Sequence, residues 1–209
     1  NNTFVAVNYN NGNIVRSTDN GSSWDNATTD NSTANGLVGV GFGNNTFIGV
    51  GYDGNIVRST DNGSSWDNAT FPTARNLYAV GFGNNTFVAV GSYAIVRSTD
   101  NGSSWDNATS PSTSIRFLYG VRFGNNTFVT VGSYEKLFRS TDNGSSWEIA
   151  TNQTYLLNSE YFEDVTFGNN VFVAVSDAGP IIRSIDNGSS FSSVNFPTTE
   201  ELWGVVFQE

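Results

Sequence analysis

The sequence predicts an all-β protein built from five four-stranded antiparallel units. Three observations carry this. First, the stretch Ser17-Thr18-Asp19-Asn20-Gly21-Ser22-Ser23-Trp24 returns at 59–66, 98–105 and 140–147, and again at 184–191 with Ile185 and Phe191 as replacements. The copies start 42, 39, 42 and 44 residues apart, a spacing that marks a repeat architecture. Second, each repeat holds four short β-branched or aromatic runs bounded by Asn-Asn, Asn-Gly or Asp-Gly pairs, which is the signature of tight hairpins. Third, no segment places apolar residues at helical spacing over ten or more positions. Units of about forty residues with four strands each fit a five-bladed β-propeller, in which sheets stand radially around an axis. One repeat covers nearly the whole chain, so 1–209 reads as a single domain.

The second repeat shows the elements in order. Residues 37–42 are the first strand, Asn44-Asn45 the turn, and 46–51 the second strand; Tyr52-Asp53-Gly54 turns again into a third strand, 55–60, and the repeated motif leads to a fourth, 65–69. First strands align at 37–42, 77–82, 118–123, 162–167 and 202–207. Val40, Val80, Val121, Val165 and Val205 share one position; Phe42, Phe82, Phe123, Phe167 and Phe207 share another, two residues on and so on the same face. Both positions are expected to form core between blades. The residue before the valine is Gly39, Ala79, Gly120 or Gly204, small enough for crowding near the axis, with Asp164 as the exception. The chain opens on a second-type strand (3–7) and ends on a first-type strand (202–207). The expectation is a closed ring, in which the C-terminal strand 202–207 joins the N-terminal blade and removes two open edges. Pairing of that strand with the next molecule, building a chain of subunits, is the alternative.

The repeated motif sits between third and fourth strands. Asp19, Asp61, Asp100, Asp142 and Asp186 can accept backbone N–H groups of their own turn, and the glycine two residues on supplies a positive φ. The tryptophan then folds under the hairpin, where truncating it costs roughly 3–5 kcal/mol. Five Asp-lined ligand or metal sites are the competing reading, but an aspartate satisfied by its own turn has little left to offer. The five are read as structural turns, and no metal or cofactor is expected. The fifth copy, with Ile185 and Phe191, is expected to be the least firmly held.

Composition excludes several classes. There is no Cys, His or Met, so disulfides, Cys-ligated zinc and the commonest general base are missing. A chain that starts at Asn1 without Met reads as a processed product or a fragment. The net charge of −10, with one lysine, disfavours nucleic acid. No apolar run approaches the ~20 residues of a membrane span.

Four of the stretches match the Ser-x-Asp-x-Gly-x-Ser/Thr-Trp pattern of Asp-box (BNR repeat) propellers and the fifth departs from it only at Phe191, and the flanking Phe-Gly-Asn-Asn-Thr-Phe-Val-Ala-Val-Gly also resembles bacterial and environmental repeats of that family. The resemblance implies a propeller whose boxes are structural turns on the face opposite the usual binding face. Members include sialidases, photosystem assembly factors, sortilin-type receptors and lectins, so fold leaves function open. A sialidase-like site would need three non-equivalent arginines, a Tyr–Glu pair and an acid/base Asp. Here Arg16, Arg58, Arg97, Arg139 and Arg183 occupy one repeat position, point outward from five places and cannot converge on one substrate. They are expected to bridge neighbouring blades. Tyr161 with Glu160 and Glu163 reads as ordinary loop composition. No enzyme is expected.

Binding is expected on the loop face. The connections 29–36, 71–76, 110–117, 151–161 and 196–201 differ most between repeats, and variable loops on a rigid scaffold are where recognition lies. Tyr9, Tyr52, Tyr93 and Tyr134 stand in the second-to-third-strand loops; beside Asp, Asn and Gly they suit stacking on sugar rings, as in a lectin with one site per blade, or they simply shield the blade ends.

Asn-x-Ser/Thr acceptors fall at Asn1, Asn44, Asn84 and Asn125 after the first strand, at Asn20, Asn62, Asn101, Asn143 and Asn187 in the motif, at Asn26, Asn68 and Asn107 after the fourth strand, and at Asn31 and Asn152. Turn chemistry explains the motif asparagines well and Asn26, Asn68 and Asn107 less well. Surface acceptors are where glycans are attached in a secreted protein. The reading is an extracellular or cell-surface structural or interaction module, N-glycosylated, whose partners are glycans (covalent or bound), other surface proteins, or further copies in a fibril. A lectin is second and a sialidase-like hydrolase third.

Overall fold

The computed structural model describes residues 2–10, 12–29, 36–69, 74–109, 117–133, 137–150, 161–177, 180–194 and 200–208. Tyr134, Asn1, Asn31, Asn152 and most of the variable loop positions lie outside them. The chain is all-β. β1 (Phe4–Val7), β2 (Ile14–Ser17) and β3 (Asp25–Asn26) form a three-stranded sheet. β4 (Thr28–Thr29) joins the next sheet, made of β5 (Leu37–Gly43), β6 (Thr46–Gly51), β7 (Ile56–Ser59) and β8 (Ser65–Asn68) in the order β4-β8-β7-β6-β5. The third comprises β9 (Leu77–Gly83), β10 (Thr86–Gly91), β11 (Ala94–Ser98) and β12 (Asp106–Asn107). The fourth comprises β13 (Leu118–Gly124), β14 (Thr127–Gly132), β15 (Phe138–Ser140) and β16 (Glu148–Ile149); the fifth, β17 (Phe162–Gly168), β18 (Val171–Ser176), β19 (Ile181–Ser184) and β20 (Ser192–Val194). The chain groups into two compact units, Asn1–Ala89 with Val96–Asn107, and Val90–Ile95 with Ala108–Glu209.

Local chemistry accounts for the hairpins. The β5–β6 ladder ends on Gly43↔Thr46, leaving Asn44 and Asn45 as a two-residue turn. Both have positive φ (46° and 58°), as a turn matched to strand twist requires and asparagine tolerates. Near the start of the first strands the register slips between Leu37 and Gly39, Leu118 and Gly120, and Phe162 and Asp164. The extra residue of each bulge (Val38, Tyr119, Glu163) is turned out of the ladder.

In the first unit, the inner strands of adjacent sheets approach backbone to backbone. A Cβ on Gly39 would stand 2.7 Å from the Tyr78 carbonyl oxygen, and one on Gly43 would stand 2.0 Å from the Phe82 ring. Small residues are therefore obligatory, as the pattern before the valines suggested. β6 is buried along its whole length, because both its faces are covered. Ile14, Leu37, Phe47, Val57 and Trp66 form one core cluster, with Val5, Val7 and Ala27 packed against it. The expected core role of Val40 and Phe42 is not met: they are 36% and 53% exposed. Phe42 packs on Phe47 of its own sheet, while the sheet on its other side, β1–β2–β3, contributes no inner strand.

In the second unit Val121 and Val165 are buried, and Phe167 packs on the cluster of Val129, Val131, Leu137, Phe162, Phe172, Ile182 and Phe191, whereas Phe207, at the same position in 202–207, is 37% exposed. Residues 202–207, expected as a strand, belong to no ladder among the described residues. They lie along β17 instead. Leu202 N–H donates to the Ser176 carbonyl (3.0 Å), Val205 N–H donates to Asp164 Oδ2 (3.0 Å), and the Phe207 ring covers Gly168. Asp164, the exception among the small residues, thus holds this segment. With no second-type strand paired to it, the segment exposes Trp203 (66%) and Val206 (88%).

Candidate functional site

The repeated motif closes on itself. Ser59 Oγ–H donates to Asp61 Oδ1 (2.8 Å) and accepts Gly63 N–H (2.9 Å); Ser65 donates its N–H to Oδ1 (2.9 Å) and its hydroxyl to Oδ2 (2.6 Å). The set recurs around Asp19, Asp100, Asp142 and Asp186. Both carboxylate oxygens accept hydrogen bonds from the serines of their own turn, so most of their acceptor sites are spent within the motif. Hydrogen bonds from the side chain and backbone of Ser23 lower Asp19 to about 2. At Asp61 burial opposes ionisation, yet the donors on Ser65, Ser59 and Ser64 outweigh it and bring the group to about 2. Asp100, Asp142 and Asp186 are lowered by the same balance of burial against serine donors. The motif asparagine shares the left-handed conformation with its glycine: Asn20 has φ 61° and Gly21 φ 84°.

Trp66, Trp105 and Trp147 are buried, each donating its indole N–H to the motif glycine's carbonyl at 3.1 or 3.2 Å. The fifth copy was expected to be the weakest, yet Phe191 is buried while Trp24 of the first is 45% exposed. Coverage by a neighbouring sheet, more than the aromatic's identity, decides how far each ring is buried, while only the tryptophans, Trp24 included, donate to the motif glycine's carbonyl. Arg16 Nη1 reaches the Asn62 carbonyl of the next sheet at 3.4 Å, as expected of a bridge. Arg139 instead pairs with Glu148 of its own sheet (2.5 Å).

The tyrosines gather other aromatics at the opposite ends of the strands. In the first unit Tyr9 (54% exposed) meets Tyr52 edge-on at 5.1 Å, and Tyr52 meets Tyr78 at 6.1 Å. Tyr52 opens a 3-10 turn, Tyr52–Gly54, fixed by Gly36 O accepting the Tyr52 N–H (3.0 Å) and Asn76 Oδ1 accepting the Asp53 N–H (3.1 Å). Tyr9, Asn10, Gly36, Tyr52 and Asp53 line an open depression of about 340 Å³. In the second unit Tyr93 (50% exposed, φ 55°) meets Phe117 at 5.9 Å; Phe117 stacks on Tyr119 (6.4 Å, 10°), and Tyr119 meets Tyr161 at 6.5 Å. Sequence reasoning missed Tyr78, Phe117 and Tyr119. The available signal was the second residue of the first strands, Val38, Tyr78, Tyr119, Glu163 and Trp203, three of which are aromatic.

Near Tyr161, Glu163 is raised by burial and then by the negative charge of Asp177, whose carboxylate accepts the Tyr161 N–H. Among the described residues no cluster of three acidic groups could hold a metal ion, and no helix is long and apolar enough to cross a membrane.

The described acceptor asparagines fall into two settings. Asn26, Asn68 and Asn107 lie exposed in β3, β8 and β12. In the hairpin and motif series, side chains meet across sheets: Asn44 Nδ2–H donates to Asn101 Oδ1 (3.3 Å), Asn101 Nδ2–H to Thr46 Oγ1 (2.6 Å), and Asn125 Nδ2–H to Asn187 Oδ1 (2.6 Å). Asn20, Asn62, Asn84 and Asn143 occupy the same repeat positions and are exposed. The in-phase recurrence of both series was the only hint of these bridges.

No known family profile matches the chain, and no curated protein matches it. Solved structures do. YCF48 bound to D1 peptide is similar at 18% identity with a TM-score of 0.65, over 90% of this chain and 61% of that one. An ancestral GH74 enzyme is similar at 19% identity and a TM-score of 0.74, over 95% of this chain and 30% of that one. A chain of a nidogen/laminin complex is similar at 12% identity and a TM-score of 0.67, over 95% of this chain and 79% of that one. These are β-propeller proteins, and the likeness establishes that fold for this chain. The chain spans less than two thirds of the YCF48 chain and about a third of the GH74 chain.

Proposed function

We propose that this chain is a non-catalytic, extracellular interaction module of the Asp-box type, N-glycosylated and part of a surface assembly or fibril. The observation that carries the reading is the run of aromatic rings at the loop ends, Tyr9–Tyr52–Tyr78 in one unit and Tyr93–Phe117–Tyr119–Tyr161 in the other. Half-exposed tyrosines on a rigid sheet give contact area at low entropic cost, as binding surfaces need. Two of the similar propellers are described with a peptide or protein partner, and partner binding by this chain is proposed at these rings. The ring is proposed to close as one domain through 202–207, with Val205 opposite Ala6 and Phe207 opposite Phe4, by analogy with Val40↔Gly49 and Phe42↔Phe47.

A lectin is the second reading, favoured by the depression of about 340 Å³ under Tyr9 and Tyr52, which falls in the range of small-ligand sites. One binding experiment separates the two. Oligosaccharides and extracellular proteins are presented to the wild type and to Y52A and Y93A. Retention of proteins, weakened at least tenfold in both variants, is the expected result; retention of free sugars with the same loss would install the lectin. Hydrolysis of fluorogenic glycosides, a sialoside among them, that is lost in E163Q would overturn the non-catalytic reading. For closure, A6C/V205C should form an intramolecular disulfide; a purely intermolecular one would make 202–207 a link between copies.

A further inference from the structure

Tyr9, Tyr52 and Asp53 are fixed against one another through the backbone. Gly36, at φ 78°, joins the first two: its N–H donates to the Tyr9 carbonyl (2.8 Å) and its carbonyl accepts the Tyr52 N–H (3.0 Å). A Cβ on Gly36 would stand 3.1 Å from Tyr52 Cβ, so a side chain there would crowd the tyrosine. Asp53 follows in the left-handed region (φ 57°), its N–H on Asn76 Oδ1 (3.1 Å), and is exposed. The edge-on pair of Tyr9 and Tyr52 does not stack, and Tyr9 is 54% exposed, so ring face is left for a ligand. Two ring surfaces and one carboxylate are thus held in place around the depression of about 340 Å³.

The charge of this depression has one sign. Among the lining residues Tyr9, Asn10, Gly36, Tyr52 and Asp53, only Asp53 bears a formal charge. The stretches 8–13, 30–36 and 52–55 contain two carboxylates, Asp30 and Asp53, and no Lys or Arg. Arg16, the first base after Tyr9, reaches to the motif end, at the Asn62 carbonyl, and Arg75, which precedes Asn76, is itself engaged. Aromatic faces are negative, so the rings and the carboxylate attract the same sign of ligand. The chain's net charge of −10 adds long-range attraction for a cation. A sugar site is built from several convergent donors and acceptors; here the lining offers one carboxylate and one amide side chain beside two rings.

Resting on the reading of these rings as the partner-binding surface, we propose that the depression under Tyr9 and Tyr52 takes an arginine side chain from a basic segment of a protein partner, with the guanidinium on the tyrosine rings and its N–H groups donating to the Asp53 carboxylate. A cation within about 6 Å of a ring centroid gains from the ring's field. Arginine suits the site better than lysine, because its planar fork lies on a ring and meets a carboxylate at once, where an ammonium offers a point charge. The backbone bonds through Gly36 and Asn76 hold the rings and the carboxylate before the partner arrives, so little ordering is left to the binding step.

The test is calorimetric titration of this chain at low salt with three synthetic peptides on one Gly-Ser backbone, bearing three arginines, three citrullines (the same shape without the charge) or three glutamates. The arginine peptide is expected to bind at least tenfold more tightly than the citrulline peptide. D53N should weaken it at least fivefold, while D106N, the same loss of charge at an exposed residue of β12 in the same unit, should change it less than twofold. Y9A should weaken it at least fivefold at an unchanged melting temperature. Equal binding of the arginine and citrulline peptides, or equal losses in D53N and D106N, would overturn the assignment. Binding of the glutamate peptide or of free oligosaccharides in place of the arginine peptide would overturn it too. If no peptide binds while extracellular proteins are retained by the wild type and lost by Y52A, the arginine assignment falls and the interaction reading stands. Protein retention that is the same in Y52A as in the wild type removes the interaction reading itself, and the assignment with it.

Discussion

Replacing Trp66 tests whether the repeated motif is an anchor. Its side chain is 97% removed from solvent (3% exposed), touches Phe47 at 6.3 Å between ring centroids, and belongs to the cluster that ties β5–β8 to Val5 and Val7 of the first sheet. A buried aromatic removes roughly 150–250 Å² from water, which at about 25 cal/mol per Å² amounts to some 4–6 kcal/mol. Truncations of buried Phe and Trp cost about 3–5 kcal/mol. Trp66→Ala is therefore expected to cost about 4 kcal/mol. Trp66→Phe imitates the fifth copy. It keeps most of the packing and loses the indole donor to the Gly63 carbonyl (3.1 Å), a net loss of about 1 kcal/mol for the bond with somewhat more for the smaller ring. Urea unfolding followed by fluorescence reads both; with a slope of about 2 kcal/mol per molar, W66A should lower the midpoint by about 2 M and W66F by under 1 M. A W66A cost below 1 kcal/mol would show that the ring anchors nothing. Equal costs for the two variants would place the stabilisation in the hydrogen bond and not in packing.

Three further outcomes are expected. Asp61→Asn should cost about 1–2 kcal/mol at neutral pH, after discounting for solvent around a mostly exposed carboxylate. Because the folded-state value is depressed to about 2 from 3.8, the contribution is complete above pH ~4 and fades as pH falls toward 2. D61N should therefore lose less stability than wild type between pH 4 and 2 in acid titration; an identical acid profile would argue against the serine donors as its source. Gly43→Ala should destabilise by about 1–3 kcal/mol in thermal melts, since a Cβ there meets the Phe82 ring at 2.0 Å, whereas Gly21→Ala, with nothing within 4 Å, pays only for its positive φ. Asn101→Ala should cost about 1–2 kcal/mol by removing both cross-sheet bonds, and Asn44→Ala should add little on top of it, which a double-mutant cycle measures.

Much of the fold could be read from the chain because its signals are local. Asn-Asn and Asn-Gly pairs set hairpin turns through residues of positive φ, and the Asp–Ser hydrogen bonds span at most four positions, so they follow from the motif alone. What escaped was everything decided between sheets. The parallel pairing of Thr28–Thr29 with Ser65–Trp66 leaves no periodic trace. Val40 and Phe42 carry the same letters as their counterparts and are exposed because of what does not cover them. The aromatic positions Tyr78 and Tyr119 lie in strands whose pattern reads as plain alternation; at Tyr119 a register slip after Leu118, which no propensity announces, turns the ring toward the loop face.

The phenylalanine that ends each inner strand and the glycine beside it have a consequence for how such a chain changes in length. Phe82 rests on Gly43, Phe167 on Gly124 and Phe207 on Gly168. A Phe-Gly dipeptide therefore gives each of four inner strands, at 42–43, 82–83, 123–124 and 167–168, both halves of the joint: the knob for one neighbour and the recess for the other; Phe207 is followed by Gln208 and supplies a knob alone. Duplicating or deleting one of these four repeats adds or removes a knob and a recess together and needs no new interface. The repeat count is then limited by the angle at which successive sheets can be stacked, not by side-chain complementarity, and near-identical copies within a gene are the raw material by which recombination would adjust it.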